Sequence, residues 1–268
     1  GKIRYYGVSN YTAEQLRALL ETADALHLPR PVVCQPPLSM LKQDALGELI
    51  PLCAAQDIAV IPYQIYQGGL LTGKYQRGME PPKGSRAEEK PAWLASPDEA
   101  LYDKLEAIEA GAKARGITMS AYALRWTLEQ PAVVSAIVGV KSERQLDDAI
   151  AASEVGADGL VVSNHGGRQL DSVHSSIVKL PGVVAAVGER MEVYVDGGVR
   201  SGLDVFKAVA LGARGVMIGR PWAWALAAGG EAAIAGLLAT FKKELEVAMA
   251  LAGVTTIRQI RPDQIDLI

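Results

Sequence analysis

Several residue types are scarce in this sequence. Of 268 residues only two are cysteine and three histidine, and 6% are aromatic. Two cysteines cannot build the disulfide framework of a small secreted domain. Cys34 (in VVCQ) and Cys53 (in LIPLCAA) lie in apolar runs, where thiols pack as small hydrophobes. Free thiols suit a reducing cytoplasm, which is the expected location. Surplus charge is also lacking. The formal net charge is -3, so no basic stripe invites a polyanion and no nucleic-acid partner is expected. No apolar run reaches the ~18 residues of a membrane span, so no membrane partner is expected. No signal peptide opens the chain. Gly1-Lys2-Ile3 runs straight into a strand pattern without an initiator Met, as in a processed or truncated chain.

What is abundant is apolar: 49% of the chain, against 21% charged, is ample for a buried core. Seven short segments read as strands, namely 3–8, 32–35, 58–63, 134–140, 159–162, 192–195 and 215–218. They are continuously apolar, as parallel strands covered on both faces must be. Helical patterns alternate with them. Thr12 caps 13–28, Pro97-Asp98 starts a helix to about 115, and 120–129 ends before Pro131. Ser142 caps 143–152, and Ser201 or Gly202 opens 203–211. The Pro- and Gly-rich stretch 76–96 reads as a surface loop. Repeated strand–helix units at this length predict an α/β fold, a TIM (β/α)8-type barrel. The eighth strand is not visible. The chain reads as one barrel domain, 1–268, either a monomer or a homodimer formed through an exposed edge.

Four motifs stand in order over 1–152: GKIRYYGVSNYTAEQL, QPPLSML, VIPYQIYQGGLLTGKY and AIVGVKSERQLDDAIAA. Together they resemble the last strands of the aldo-keto reductase family. The resemblance implies an NADP(H) site. Ser9, Asn10 and Gln35 would bond the nicotinamide carboxamide and Tyr63 would stack on its ring. The loop 68–74 would face the pyrophosphate. Lys141, Ser142, Arg144, Gln145 and Asp148 would take the adenosine-phosphate end. That family's catalytic Tyr, Lys, Asp and His belong to an earlier half with no counterpart here, and His27 reads as a surface residue. Outside the motif order, Ser and Asn after a strand are ordinary turn residues.

From residue 153 onward the motifs change. GADGLVVSNHGGRQLD, VYVDGGVRSGLDVFKAVALGA and GVMIGRPWAWALAAGGEA resemble the FMN-dependent α-hydroxy acid oxidases and dehydrogenases. The resemblance implies His165 as catalytic base and Arg168 as clamp on the substrate carboxylate, a role a planar guanidinium suits. Ser163 would lie at the cofactor edge. Asp196, Gly197, Gly198, Arg200, Gly219 and Arg220 would hold the FMN phosphate, at the usual phosphate position of such barrels. Trp222 and Trp224 read as core and helix packing, and His174 is given no role. The family's substrate-contacting Tyr residues, the Asp that orients the catalytic His and the flavin-contacting Lys have no match here. Lys141 is near the right rim but off the family spacing.

The change near 150–155 falls inside a predicted helix without a linker, so the chain reads as two half-barrels, 1–152 and 153–268, completing one another. Three functions follow as expectations. The first is a recombined, engineered barrel that keeps an FMN or phosphate site without native catalysis. The second is an FMN-dependent 2-hydroxy acid oxidoreductase. The third is an NADP(H) binder lacking reductase chemistry. No metal site is expected.

Overall fold

The structure, a computed structural model, describes residues 4–83, 85–89, 98–138, 159–168 and 174–266. Its contacts divide the chain into two compact units, Ile3–Val138 and Gly139–Ile268.

In the first unit β1 (Gly7–Ser9), β2 (Val33–Gln35) and β3 (Ala59–Val60) form a parallel sheet in that order. Gly7, Val33 and Ala59 are level across it. The strands are shorter than the apolar runs predict, because Pro36, Pro37 and Pro62 follow β2 and β3 and bring no N–H to the ladder. Isolated parallel bridges continue the pairing, Pro37 with Tyr63 and Val60 with Val133. α1 (Ala13–Ala25) opens with a capping box. Thr12 Oγ1 accepts from Gln15 N at 3.1 Å, and Gln15 Oε1 accepts from Thr12 N at 2.9 Å. Leu16 and Leu20, one turn apart, bury against Cys34, Val60, and Ile50 and Cys53 of α2 (Leu49–Ala55). Both cysteines are free and buried, as their apolar settings predict. A hydrogen bond with Cys34, with burial, pushes the Cys53 thiol up.

The 76–96 stretch is not wholly loop. It holds one helical turn, α3 (Arg86–Glu89), where Ala87 N donates to the buried Tyr75 hydroxyl at 3.3 Å. α4 (Glu99–Lys113), capped by Asp98, packs with α5 (Met119–Leu128) around Leu105, Ala112, Met119 and Ala123. The N-cap of α5 is Thr118, whose side chain accepts from Ala121 N at 3.1 Å, so the helix begins before the predicted Ser120. Arg77 ties the preceding loop to α4 through Glu99, through Asp103 at 2.5 Å and through Glu106 at 2.8 Å.

In the second unit β4 (Gly159–Val162), β5 (Glu192–Val195) and β6 (Gly215–Val216) form another three-stranded parallel sheet. Leu180, Val183 and Val187 of α6 (Ser176–Val187) pack on Val193 and Val195, with Ala208 of α7 (Gly202–Ala210) beside them. α8 runs from Arg220 to Leu251. Its C-terminal part lies against α7, and they meet so closely at Gly202 that a Cβ there would overlap the backbone of Phe241 and Leu245. Gly202 N donates to Glu244 Oε2 at 2.7 Å across this crossing.

Three expectations change here. First, the described strands make two three-stranded sheets, and among the described residues no closed barrel forms. The predicted 134–140 segment forms no strand among the described residues, but beside the Val60–Val133 bridge Val134 N donates to Val60 O at 3.1 Å and Ile137 N to Pro62 O at 2.8 Å, and residues 139–158 lie outside the described residues. Second, α8 is 32 residues long and, by length and composition, apolar enough to cross a membrane. The sequence hid this run behind Gly229, Gly230 and Glu231. The helix is in fact broken at that pair, where Gly230 has φ 59° and ψ -144°. Third, Trp222 and Trp224 are 44% and 65% exposed rather than packed. They precede the break, whereas Phe241, the buried residue of α8, follows it.

The Arg77 cluster yields a pH test. A hydrogen bond from Arg77 is the main cause holding the Glu106 carboxyl below its usual range. A carboxyl so held stabilises the fold above its unfolded pKa and loses that contribution as pH falls through its lower folded value. Arg77→Ala is expected to lower the melting temperature by a few degrees at pH 7 and by much less near about pH 3. Calorimetry showing the same deficit at both pH values would rule this origin out.

Candidate functional site

In the second unit the parallel register sets Val162 level with Val195, and Val195 level with Val216. Asp196 N donates to Val162 O at 3.1 Å and Met217 N to Val195 O at 2.9 Å, so the strands end together. The loops 163–168, 196–201 and 217–219 therefore leave one edge, the C-terminal edge where α/β folds place ligands.

The β4 loop is tightly wound. His165, Gly166 and Gly167 have φ of 55°, 61° and 74°. His165 N donates to Ser163 Oγ at 3.0 Å, Gly167 N to Asn164 O at 3.1 Å, and Arg168 N to His165 O at 3.2 Å. This winding leaves His165 and Arg168 exposed at the strand end.

Asn164, given no role from the sequence, anchors this loop. Its N donates to the buried Ser176 Oγ at 3.1 Å, and its Nδ2 donates to His174 O at 3.4 Å. His174 thus contributes its backbone carbonyl. A Cβ on Gly197 would come within 2.8 Å of Asn164 Oδ1 and 3.1 Å of Ser176 Oγ, so the β4 and β5 loops are pressed together. Asn164 Oδ1 and Asp196 Oδ1 are buried without a hydrogen-bond partner among the described residues. A buried acceptor left so costs about 1–3 kcal/mol, which a ligand N–H or O–H relieves. The only sequence signal for Asn164 was its place between Ser163 and His165. Ser176 gave none.

The remaining predicted residues lie on the segments after β5 and β6. Gly197 and Gly198 have φ of 85° and 91°, and open space surrounds the Cβ position at Gly198 and Gly219. Ser201 caps α7, accepting from Asp204 N at 3.1 Å, and Arg200 N donates to Asp204 Oδ2 at 2.9 Å. This fixes the Arg200 backbone. Among the described residues the Arg168 and Arg200 guanidiniums have no hydrogen-bond or ion-pair partner. Arg220 donates to the Gly166 carbonyl. Glycine-lined space, uncommitted guanidiniums and two orphaned acceptors fit a ligand with a phosphate at one end and hydroxyl or amide donors along it. Among the described residues no cluster of His, Cys, Asp and Glu is placed to hold a metal ion.

The strand ends of the first unit also gather their predicted residues. Ser9 Oγ donates to Gln35 O at 3.1 Å, Asn10 N to the same oxygen at 3.2 Å, and the Tyr63 hydroxyl to Asn10 Oδ1 at 2.6 Å. The Ser9 and Tyr63 hydroxyls and the Asn10 side-chain oxygen are thus engaged with one another's strand ends. Lys141, Ser142 and Arg144, with Gln145 and Asp148, lie outside the described residues.

Level parallel strands alternating with helices and ending in glycine turns define a parallel α/β protein. More specifically, the chain belongs to the FMN-dependent dehydrogenase family, whose sequence model matches residues 72–267. An L-lactate dehydrogenase of Caulobacter vibrioides is 58% identical over 121 residues, 45% of this chain and 32% of that protein. An L-lactate oxidase of Nostoc sp. is 52% identical over 114 residues, 42% of this chain and 31% of that protein. These matches span about a third of the length of those relatives. Mandelate oxidase with benzoyl-formic acid is a similar solved structure, with a TM-score of 0.56 and 28% identity, covering 92% of this chain and 72% of that one. The solved relatives have the TIM-barrel fold. Neither the family nor these relatives are aldo-keto reductases, so NADP(H), the second expected cofactor, gains no support from them.

The close approach at Gly197 can be tested by stability. Gly198→Ala forces a left-handed φ on a residue with a Cβ but meets open space, and is expected to cost about 1–2 kcal/mol. Gly197→Ala adds a clash with Asn164 and Ser176 and is expected to cost at least about 1 kcal/mol more. Urea unfolding of both variants checks the order, and equal losses would contradict the packing described.

Proposed function

We propose that this chain is an FMN-dependent 2-hydroxy acid oxidoreductase. The observation that carries the reading is the shared strand end, where His165 and Arg168 lie beside the cradle Asp196–Arg200 and Gly219–Arg220. The lactate and mandelate relatives favour this second expectation over an inactive, recombined scaffold. In this reading Arg200 and Arg220 hold the phosphate, while Asp196 and Asn164 accept from hydroxyl or amide groups of the cofactor. Bound FMN supplies the acceptor for the electron pair that leaves the substrate carbon.

Arg168 binds the substrate carboxylate, and its fork fixes the orientation of the hydroxyl-bearing carbon. His165 takes up a proton from that carbon or its hydroxyl at an exposed imidazole nitrogen, and the substrate's second hydrogen leaves with the electron pair. The product is the 2-oxo acid. Small 2-hydroxy acids such as lactate, glycolate and mandelate share the carboxylate and hydroxyl this pair needs. The single-barrel organisation, with halves 1–152 and 153–268 and a first half like an aldo-keto reductase, belongs to the same proposal, as does assembly as a monomer or homodimer. The free buried thiols of Cys34 and Cys53 support a reducing compartment such as the cytoplasm.

Flavin fluorescence during FMN titration tests the site. Saturable binding is expected, weakened at least about tenfold by combined Arg200→Ala and Arg220→Ala substitution. With L-lactate, glycolate or mandelate, His165→Gln is expected to lower kcat by at least ~100-fold. Arg168→Lys is expected to raise KM by about ten- to a hundredfold. A folded protein that binds no FMN would end this reading.

A further inference from the structure

Arg220 belongs to one loop and touches another. Its backbone starts α8 directly after the open Gly219, and its guanidinium donates to the carbonyl of Gly166, 54 residues earlier. Gly166 is the neighbour of His165, and both are left-handed. A Cβ at Gly166 would come within 2.7 Å of the Arg220 terminal nitrogen, so the guanidinium lies directly against this loop. A guanidinium offers several N–H donors in a rigid plane. Among the described residues Gly166 O is the single acceptor Arg220 has, which leaves the other donors free. Arg220 directly follows Gly219, where a Cβ would meet open space.

We propose that Arg220 is a positioning residue for His165. One side of its fork holds the Gly166 carbonyl, the other takes a phosphate oxygen, and filling the second side tightens the loop that carries the imidazole. The inference rests on the phosphate placement proposed above. Its energetic basis is side-chain entropy. Arg220 is exposed, and the rotamer freedom lost on immobilising its long side chain offsets most of what one hydrogen bond contributes. An anion that already immobilises the guanidinium offsets that cost, so the bond to Gly166 then contributes in full. Coupling of this kind is reciprocal, and a well-held loop tightens anion binding in turn. Lysine keeps the charge but has no fork to share between two acceptors.

Hydrogen exchange reads this directly. The amides of His165, Gly167 and Arg168 bond within the loop and exchange when it opens. The full chain, freed of flavin, is measured with and without inorganic phosphate. Phosphorus NMR verifies that each protein is saturated. Phosphate is expected to slow exchange at 163–168 about fivefold or more in the parent. Arg200→Ala, saturated at higher phosphate, is expected to retain the slowing. Arg220→Lys is expected to bind phosphate and lose it. Saturation without slowing in the parent, or equal slowing in Arg220→Lys, overturns the inference and leaves the proposed function standing. A parent that binds neither phosphate nor FMN overturns both, and the binding titration reports that separately.

Discussion

The contact between Gly197 and Asn164 is the constraint on which the candidate site depends. Parallel pairing brings β4 and β5 to a common end, but register alone leaves their loops free to diverge. The glycine lets the β5 loop come against the Asn164 side chain, and Ser176 holds the same asparagine from its backbone side. With Asn164 fixed, the next residues have little choice. The chain turns left-handed through His165, Gly166 and Gly167, and the imidazole and Arg168 are delivered to the rim. The arrangement leaves acceptors on Asn164 and Asp196 buried and unmatched, a cost typical of sites shaped for a ligand rather than for their own stability.

How much of this was legible depended on the range of the interaction. Helix starts rest on neighbours a few residues apart, and Thr12, Asp98 and Ser201 act as the caps their sequence positions indicate. Strand existence was legible from apolar runs, but strand length was not. The prolines after Gln35 and Ile61 shorten β2 and β3 by withholding donors. The glycines of the β5 loop were recognisable as a sharp turn, and both have positive φ. Their role as a seat for Asn164 was not, because Ser176 and Asn164 meet Gly197 only in three dimensions. The exposure of Trp222 and Trp224 was misjudged for a related reason. Composition reports that a helix is apolar, whereas only packing reports which part of it finds a neighbour.

The two units treat similar chemistry differently. At the strand ends of the first unit the amides, hydroxyls and carbonyls satisfy one another, with Tyr63 closing on Asn10. At the strand ends of the second, the Asn164 and Asp196 acceptors and the Arg168 and Arg200 guanidiniums have no partner among the described residues. Ligand capacity therefore follows the residue balance at each edge rather than the βα pattern that both share.

The break at Gly229–Gly230 has a mechanical meaning. A continuous helix would act as a rod, passing any movement at Arg220 to Phe241 and so to the crossing at Gly202. A helix interrupted by a glycine pair acts as two short levers with a joint between them. No continuous helical ladder therefore runs from the arginine end to Phe241, and the rim and the buried seam of α7 and α8 rest on separate helical pieces.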